Sequence, residues 1–177
     1  MQASRREPLI IRHPGRLLAA VAILTLILDQ VAKAGIRLTM APGESVPLVP
    51  GILNLTFVHN VGAAFGLFPG RQPVFVATSL VVLFVIAAYW RRARPTEWPI
   101  VMALGLVCAG ATGNLIDRAF RGEVTDFLEF GFVQFPVFNF ADMAIVSGVT
   151  VLALWVLFGP QPEPPVQVTQ STQGDPK

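Results

Sequence analysis

The chain has 177 residues, of which 53% are hydrophobic and only 14% are charged, and its mean hydropathy is +0.60. Soluble domains carry about 25% charged residues, so this composition excludes an ordinary water-soluble domain and predicts an integral membrane protein. The net charge is only +2 and the arginines flank apolar runs, which argues against a nucleic-acid partner despite a pI near 9.2. The single cysteine, Cys108, lies in an apolar run and excludes a disulfide within the chain.

The first predicted span covers about residues 16–38 and follows an arginine-containing segment. Asp29 and Lys33 lie four residues apart and therefore share one helical face. A basic start, an apolar core and Ala32-Lys33-Ala34 also fit a cleavable signal peptide. We favour a retained helix because the apolar run exceeds the usual signal-peptide length, Lys33 would occupy the cleavage position, and three more spans follow.

Residues 39–72 have a different composition from the first span. Five proline and glycine residues between positions 42 and 51 favour turns, and Ile52–His59 is then rich in β-favouring residues. Small residues follow Asn60 and permit close approach of the backbone to a partner. This region predicts a small extracytoplasmic β segment that lies on the membrane surface.

Three further spans are predicted at about residues 73–90, 98–116 and 140–158, each near the length that crosses a bilayer. The third contains the small-residue pairs Gly105/Ala109 and Ala109/Gly113, which favour close helix packing in lipid, and the fourth contains Ala144/Gly148. The predicted fold class is therefore membrane all-α with a small β part. Residues 1–158 form one domain, and residues 159–177 are predicted to be a disordered cytoplasmic tail.

Basic residues predict the orientation of the chain. By the positive-inside rule, one side is cytoplasmic and carries both termini. This side has seven arginines: Arg5, Arg6, Arg12, Arg16, Arg91, Arg92 and Arg94.

The stretch Gly122–Asp142 contains two aspartates, Asp126 near its start and Asp142 at its end. They lie 16 residues apart and at the predicted outer face. An aromatic-rich loop that leaves the membrane and returns would bring its two ends together. Two carboxylates within hydrogen-bond reach share one proton, and such a pair can activate water and protonate a leaving amine. The alternative is that each aspartate caps a helix or pairs with Arg118.

Other chemistries are less well supported. His59 with the two aspartates would be a minimal metal site, but the chain has no HExxH pair or clustered histidines. A proton-coupled transporter would use Asp29, Lys33 and the two aspartates, yet the second and third spans carry charge only at their ends. A purely structural scaffold would not need carboxylates around an outer loop.

Five motifs in order resemble the bacterial lipoprotein signal peptidases, the signal peptidase II family, over nearly all of residues 17–158. The motifs are Asp29-Gln-Val-Ala-Lys33, Asn60-Val-Gly-Ala-Ala-Phe-Gly66, Gly110-Ala-Thr-Gly-Asn114-Leu-Ile-Asp117-Arg118, Gly122-Glu-Val-Thr-Asp126-Phe127 and Phe138-Asn139-Phe-Ala-Asp142. Ala109 departs from the family, which usually has a second glycine before Gly110.

The resemblance implies that Asp126 and Asp142 are the catalytic pair of an aspartic endopeptidase. It also implies a substrate site lined by Asn60, Gly62, Asn114, Arg118 and Asn139. Asp29 and Lys33 are either a buried ion pair that fixes helix packing or direct substrate contacts. Gly110 and Asp117 are placed with them as structural or substrate-proximal residues.

The same resemblance implies that the substrates are diacylglyceryl-modified prolipoproteins, cut just before the lipidated cysteine. It requires no metal or other cofactor. The expected location is the bacterial inner membrane, with the site at the outer face and membrane lipid as surroundings. We expect no nucleic-acid partner, and nothing in the sequence demands more than a monomer.

Overall fold

The computed structural model describes residues 11–62 and 72–160, which form four helices and three strands. All four helices are long and apolar enough to cross a membrane. This confirms the predicted fold class, a four-helix membrane protein with a small β part. The elements in chain order are α1 (Pro14–Thr39), β1 (Ser45–Val49), β2 (Leu53–Asn60), α2 (Gln72–Ala93), α3 (Trp98–Arg121), β3 (Val124–Phe130) and α4 (Phe140–Phe158).

Helix α3 lies at the centre of the bundle and packs against α1, α2 and α4. Small residues make this possible, because a side chain at these contacts would collide with the neighbouring helix. A Cβ atom on Gly110 would overlap the carbonyl oxygen of Ala141, and one on Gly148 would lie 2.7 Å from that of Ala103. The glycines at these two positions therefore set the distance between α3 and α4.

The outer faces of the other helices expose large apolar side chains. Leu24 and Leu28 of α1, Phe84 of α2 and Val156 of α4 are all more than 60% exposed. Such surfaces are unfavourable in water and suit contact with lipid chains. Burial is instead concentrated on α3, whose neighbours cover it on several sides.

The three strands form one antiparallel sheet in the order β1-β2-β3. Its core consists of Phe57, Phe127 and Leu128 packed against Ile36 near the end of α1. β1 lies within the stretch whose prolines and glycines favoured turns. It accommodates Pro47 because it is an edge strand, where a residue without a backbone N–H can be placed with no loss of a hydrogen bond between strands.

Helix α3 extends beyond the membrane span that the sequence predicts. The predicted span ended near Ile116, where the sequence becomes polar, but the helix continues to Arg121. It continues because Asp117 is buried and ion-paired rather than exposed to water. The helix ends at Gly122, which has a φ of 76° that a residue with a side chain rarely adopts. Predictions for Arg5, Arg6, residues 63–66 and the tail beyond residue 160 lie outside the described residues.

Candidate active site

The two candidate catalytic carboxylates lie on one cavity. Asp126 is in the middle of β3 and is only 2% exposed, whereas Asp142 is in the first turn of α4. The cavity has a volume of about 680 Å³ and is lined by both aspartates. The loop between β3 and α4 thus brings together two residues that are 16 positions apart in the sequence.

Asn139 connects the two aspartates. Its side-chain Nδ2 donates to Asp126 Oδ1 at 2.6 Å, and its Oδ1 accepts from the Asp142 backbone N–H at 3.0 Å. The Asn139 backbone N–H in turn donates to Asp142 Oδ2 at 3.2 Å, which completes a capping box at the start of α4. The asparagine therefore holds both carboxyl groups while it begins the helix.

Asn60 holds the second oxygen of Asp126 from the neighbouring strand. Its Nδ2 donates to Asp126 Oδ2 at 2.8 Å, and its Oδ1 accepts the Gly62 backbone N–H at 2.9 Å. The bond from Gly62 fixes which end of the Asn60 amide faces the aspartate. Asn60 and Gly62 both line the cavity, as does Val124, which pairs with Asn60 in the sheet.

Asn114 of α3 holds Asp142. Its Nδ2 donates to Asp142 Oδ1 at 2.8 Å. Its Oδ1 accepts from Lys33 Nζ at 2.9 Å and from Asn139 Nδ2 at 3.2 Å. Because two donors fix the oxygen end of this amide, the donor end must face the carboxylate of Asp142.

Behind Asn114 lies a fully buried ion network between α1 and α3. Lys33 Nζ lies 2.9 Å from Asp29 Oδ2 and 3.0 Å from Asp117 Oδ2, and none of these side chains is more than 1% exposed. The other oxygen of Asp29 accepts the backbone N–H of Ala141 at 2.9 Å. None of the three charged residues lines the cavity, so this arrangement favours the structural alternative for Asp29 and Lys33.

Two residues of this network were not singled out from the sequence. Arg37 donates to Thr125 Oγ1 at 2.9 Å and lies 3.8 Å from Asp117 Oδ1, which joins α1 to the start of β3. A signal for Arg37 was present, because positions 29, 33 and 37 recur every four residues on one face of α1. Thr125 lies inside the Gly122–Phe127 motif. It was missed because this stretch was interpreted as part of a loop, whereas the structure has a strand there, β3.

Arg118 and Gly110 have different roles in the geometry. Arg118 lines the cavity with its guanidinium carbon 5.3 Å from the centre of the Phe75 ring. Its Nε is buried and has no hydrogen-bond partner among residues 11–62 and 72–160. Gly110 does not line the cavity and serves the contact between α3 and α4.

Burial raises the pKa of Asp126 from 3.8 to about 7, since a buried carboxylate loses hydration. The hydrogen bonds from Asn60 and Asn139 oppose this effect, and the nearby charge of Asp142 adds to it. At neutral pH the Asp126 carboxyl group is therefore divided between its acid and base forms. That is the condition in which one proton can be shared across a pair of carboxyl groups.

The remainder of the cavity wall is mainly apolar. It is formed by side chains from the sheet, the β3–α4 loop and α4, including Leu128, Phe138, Met143 and Val146. Within the described residues, no group of three or more His, Cys, Asp or Glu side chains is arranged to hold a metal ion. His59 instead bonds Glu123, outside the cavity. The site thus combines a polar end with an apolar channel.

Comparisons with known proteins agree with one another. The model of the family described as signal peptidase (SPase) II matches residues 21–158. The lipoprotein signal peptidase of Moorella thermoacetica is 44% identical over 143 residues, which cover 81% of this chain and 93% of that protein. That of Syntrophomonas wolfei is 45% identical, with 76% of this chain and 89% of the relative covered.

Two solved structures, each described as a bacterial membrane enzyme determined by the in meso method, share the fold. One superposes with a TM-score of 0.78 at 30% identity and covers 86% of this chain and 93% of its own. The other has a TM-score of 0.76, also at 30% identity, with 88% and 100% covered. The relatives above are named lipoprotein signal peptidases, and the chain belongs to the signal peptidase II family.

Proposed function

We propose that this protein is a membrane aspartic endopeptidase that removes signal peptides from diacylglyceryl-modified prolipoproteins. The observation that carries the proposal is the pair Asp126 and Asp142, joined through Asn139 at the polar end of one cavity. The names of the relatives support the substrate class. The scissile bond lies just before the lipidated cysteine.

The proposed reaction uses the two carboxyl groups as a base and an acid. One aspartate takes a proton from water, and the hydroxide equivalent attacks the peptide carbonyl carbon before the cysteine. The other aspartate donates its proton to the carbonyl oxygen, which gives a tetrahedral diol intermediate. The first aspartate then passes the proton that it took from water to the departing amine as the C–N bond breaks, and a hydroxyl proton of the intermediate returns to the second aspartate. A pKa of about 7 at Asp126 supports a singly protonated pair near neutral pH.

The other cavity residues bind and orient the substrate. Arg118 lines the cavity and its Nε has no hydrogen-bond partner among the described residues, so its guanidinium group can donate to a substrate carbonyl. Asn60, Asn114 and Asn139 hold the carboxyl groups and so position the pair. Asn60 and Asn114 also line the cavity, whereas Asn139, which the sequence placed in the substrate site, is fully buried and does not line it. The apolar wall formed by Leu128 and Met143 suits the acyl chains attached to the cysteine.

Lys33 acts through Asn114 as a positioning residue. It holds the amide oxygen of Asn114, and this turns the amide N–H groups toward Asp142. Asp29 and Asp117 neutralise the buried ammonium group. Charged side chains at this depth without such partners would be strongly unfavourable.

The charge distribution argues against a proton-coupled transporter. Acidic and basic residues of α2, α3 and α4 lie only near the helix ends, and α1 carries none between Arg16 and Asp29. The described spans therefore hold no continuous line of ionisable groups across the membrane. A relay through the bilayer would require one.

The test is cleavage of a diacylglyceryl-modified prolipoprotein by the purified protein in detergent. We expect Asp126→Asn and Asp142→Asn to lower kcat by about a thousandfold or more, because each removes one member of a pair that acts as a unit. Glu129→Gln is the matched control, since Glu129 is a half-buried carboxylate on the same strand that does not line the cavity. EDTA should have no effect.

Three results would count against the proposal. Normal cleavage by both aspartate variants would make the pair structural. Inhibition by EDTA would point to a metal. Equal cleavage of an unmodified prolipoprotein would show that the enzyme does not require the lipid modification of its substrate.

A further inference from the structure

A second cavity lies at the opposite end of the helix bundle from the aspartates. It has a volume of about 400 Å³ and is lined by Pro14, Trp90, Arg91 and Arg94. These residues come from the start of α1 and the end of α2. The cavity therefore opens where two spans leave the apolar part of the membrane, at the level of the lipid headgroups.

Among the described residues, the charge at this end of the bundle is almost entirely positive. Arg12, Arg16, Arg91, Arg92 and Arg94 lie there, and none has a carboxylate within salt-bridge distance among residues 11–62 and 72–160. The acidic residue closest in sequence, Glu97, accepts the backbone N–H of Thr96 at 3.0 Å. The two arginines of the cavity thus have their charges available to an anion.

The backbone around the cavity is fixed by local contacts. The Ile11 N–H donates to the carbonyl oxygen of Thr96 at 3.1 Å, which ties the chain before α1 to the α2–α3 connection. A Cβ atom on Gly15 would lie 3.7 Å from the indole ring of Trp90, so the ring rests on the first turn of α1. Trp90 is half-buried there, a placement typical of tryptophan at a membrane interface.

Arg94 has a backbone conformation that is unusual for an arginine. Its φ is 46°, and it is the one residue other than glycine with a positive φ in the described chain. This left-handed conformation is easy for glycine and unfavourable for residues with a Cβ atom. Arg94 thus combines an unfavourable backbone conformation with a charged side chain that lines a cavity, and such a combination is typical of ligand-binding sites.

We infer that this arginine cavity binds the phosphate group of an anionic phospholipid from the surrounding bilayer. Arg91 and Arg94 supply charge-assisted hydrogen bonds to the phosphate oxygens, while Trp90 and Pro14 contact the glycerol and the first part of the acyl chains. Basic pockets between helices at a membrane surface are a recurrent form of lipid headgroup site. The inference is independent of the peptidase proposal, because no residue is shared with the aspartate cavity.

The experiment measures lipid retention by native mass spectrometry of the full-length protein released from detergent. Phosphatidylglycerol is the probe, and phosphatidylcholine with the same acyl chains is the comparison lipid. We expect Arg91→Gln with Arg94→Gly to weaken phosphatidylglycerol retention by roughly tenfold or more. Arg92→Gln removes one charge at an adjacent exposed position outside the cavity, which matches the charge change of Arg94→Gly alone, and should retain the lipid as the unchanged protein does.

Arg94→Gly alone separates binding from folding. Glycine relieves the positive φ at this position, so we expect an unchanged or higher unfolding temperature together with weaker lipid retention. Equal retention of phosphatidylcholine, or an equal loss in Arg92→Gln, would overturn the inference in favour of a diffuse charge effect. Complete displacement of the lipid by millimolar inorganic phosphate would show a site for the free anion instead of a lipid.

Discussion

Asn139 illustrates how much a single side chain does at this site. It donates to Asp126 and Asn114, and it accepts from the backbone of Asp142. An aspartate there would lose both donated bonds, and an alanine would leave the cap of α4 unmade. The asparagine amide supplies two N–H donors and a separate oxygen acceptor, and this site uses both ends.

The ionisation of Asp126 leads to a prediction about pH. Because its pKa is about 7, the pair keeps its single proton below this pH and loses it above, so kcat/KM should fall as pH rises through about 7. The bond from Asn60 stabilises the charged form of Asp126 and lowers its pKa. Asn60→Ala should therefore raise that pKa and move the alkaline limb upward by about 1 pH unit or more.

The measurement is a pH profile of kcat/KM for the lipid-modified substrate. Asn54→Ala is a suitable control, because Asn54 lies on the same strand but not on the cavity. An alkaline limb that stays in place or moves downward in Asn60→Ala would mean that Asp126 is not the group responsible for it.

At the scale of the elements, the buried ion network joins α1 to α3. Lys33→Met would leave Asp29 and Asp117 buried without their shared cation. Breaking a buried charge pair in this way costs about 3–5 kcal/mol, and we expect a loss of that size in the free energy of unfolding in detergent. The loss of the bond to Asn114 should lower kcat as well.

A double-mutant cycle checks this assignment. Asp29→Asn combined with Lys33→Met removes both charges, so the combined destabilisation should be smaller than the sum of the single effects. Strict additivity would show that the two charges do not depend on each other.

The contact between α3 and α4 provides a prediction about packing. Gly110→Ala introduces a Cβ atom that overlaps the Ala141 carbonyl oxygen and the side chain of Ile145, so the helices must separate. We expect a destabilisation of about 1–3 kcal/mol, measured by thermal unfolding in detergent. Gly35→Ala in α1 is the matched control, because nothing lies within 4 Å of the new atom there.

Gly35→Ala should be neutral or stabilising by up to about 1 kcal/mol, since alanine is the better helix former. Equal destabilisation by both substitutions would show that the effect of Gly110→Ala does not come from the close approach of α3 and α4.

The helices and strands could be predicted from the sequence where they depend on the local pattern of residues. Apolar length identified the four helices, and small-residue spacing identified their close contacts. The end of α3 was not predictable, because the polarity of Asp117 indicates exposure to water until its partners on α1 are known. β1 was missed for a similar reason, since only its edge position makes Pro47 acceptable.

For the whole molecule, the positive-inside rule predicts that the sheet and both aspartates face outward. This can be tested in cells with a membrane-impermeant thiol reagent. Cys108 is the single cysteine, so Cys108→Ala provides a background without thiols. We expect labelling of Gln134→Cys, in the exposed loop between β3 and α4, and protection of Arg92→Cys until the membrane is opened. The reverse pattern would invert the topology.

The motifs contain most of the polar residues that line the cavity, but Asn139 is buried away from it, and most of the apolar wall lies outside the motifs. The direction of each amide was not predictable, because it depends on partners far along the chain. Asn114, for example, is oriented by Lys33, which lies 81 residues before it. Only the folded structure shows that Lys33 on α1 orients the Asn114 amide, whose Nδ2 donates to Asp142.

The bond between Asp29 and the backbone of Ala141 also has a consequence for biosynthesis. It joins the first helix to the last across 112 residues of sequence. A chain is made from its N-terminus, so Asp29 can pair with Lys33 early, but the Ala141 N–H becomes available only after the fourth helix has been made. Asp142 arrives with that same final helix. If the proposed function holds, a chain that lacks the fourth helix has only one of the two aspartates and cannot cleave itself or its neighbours.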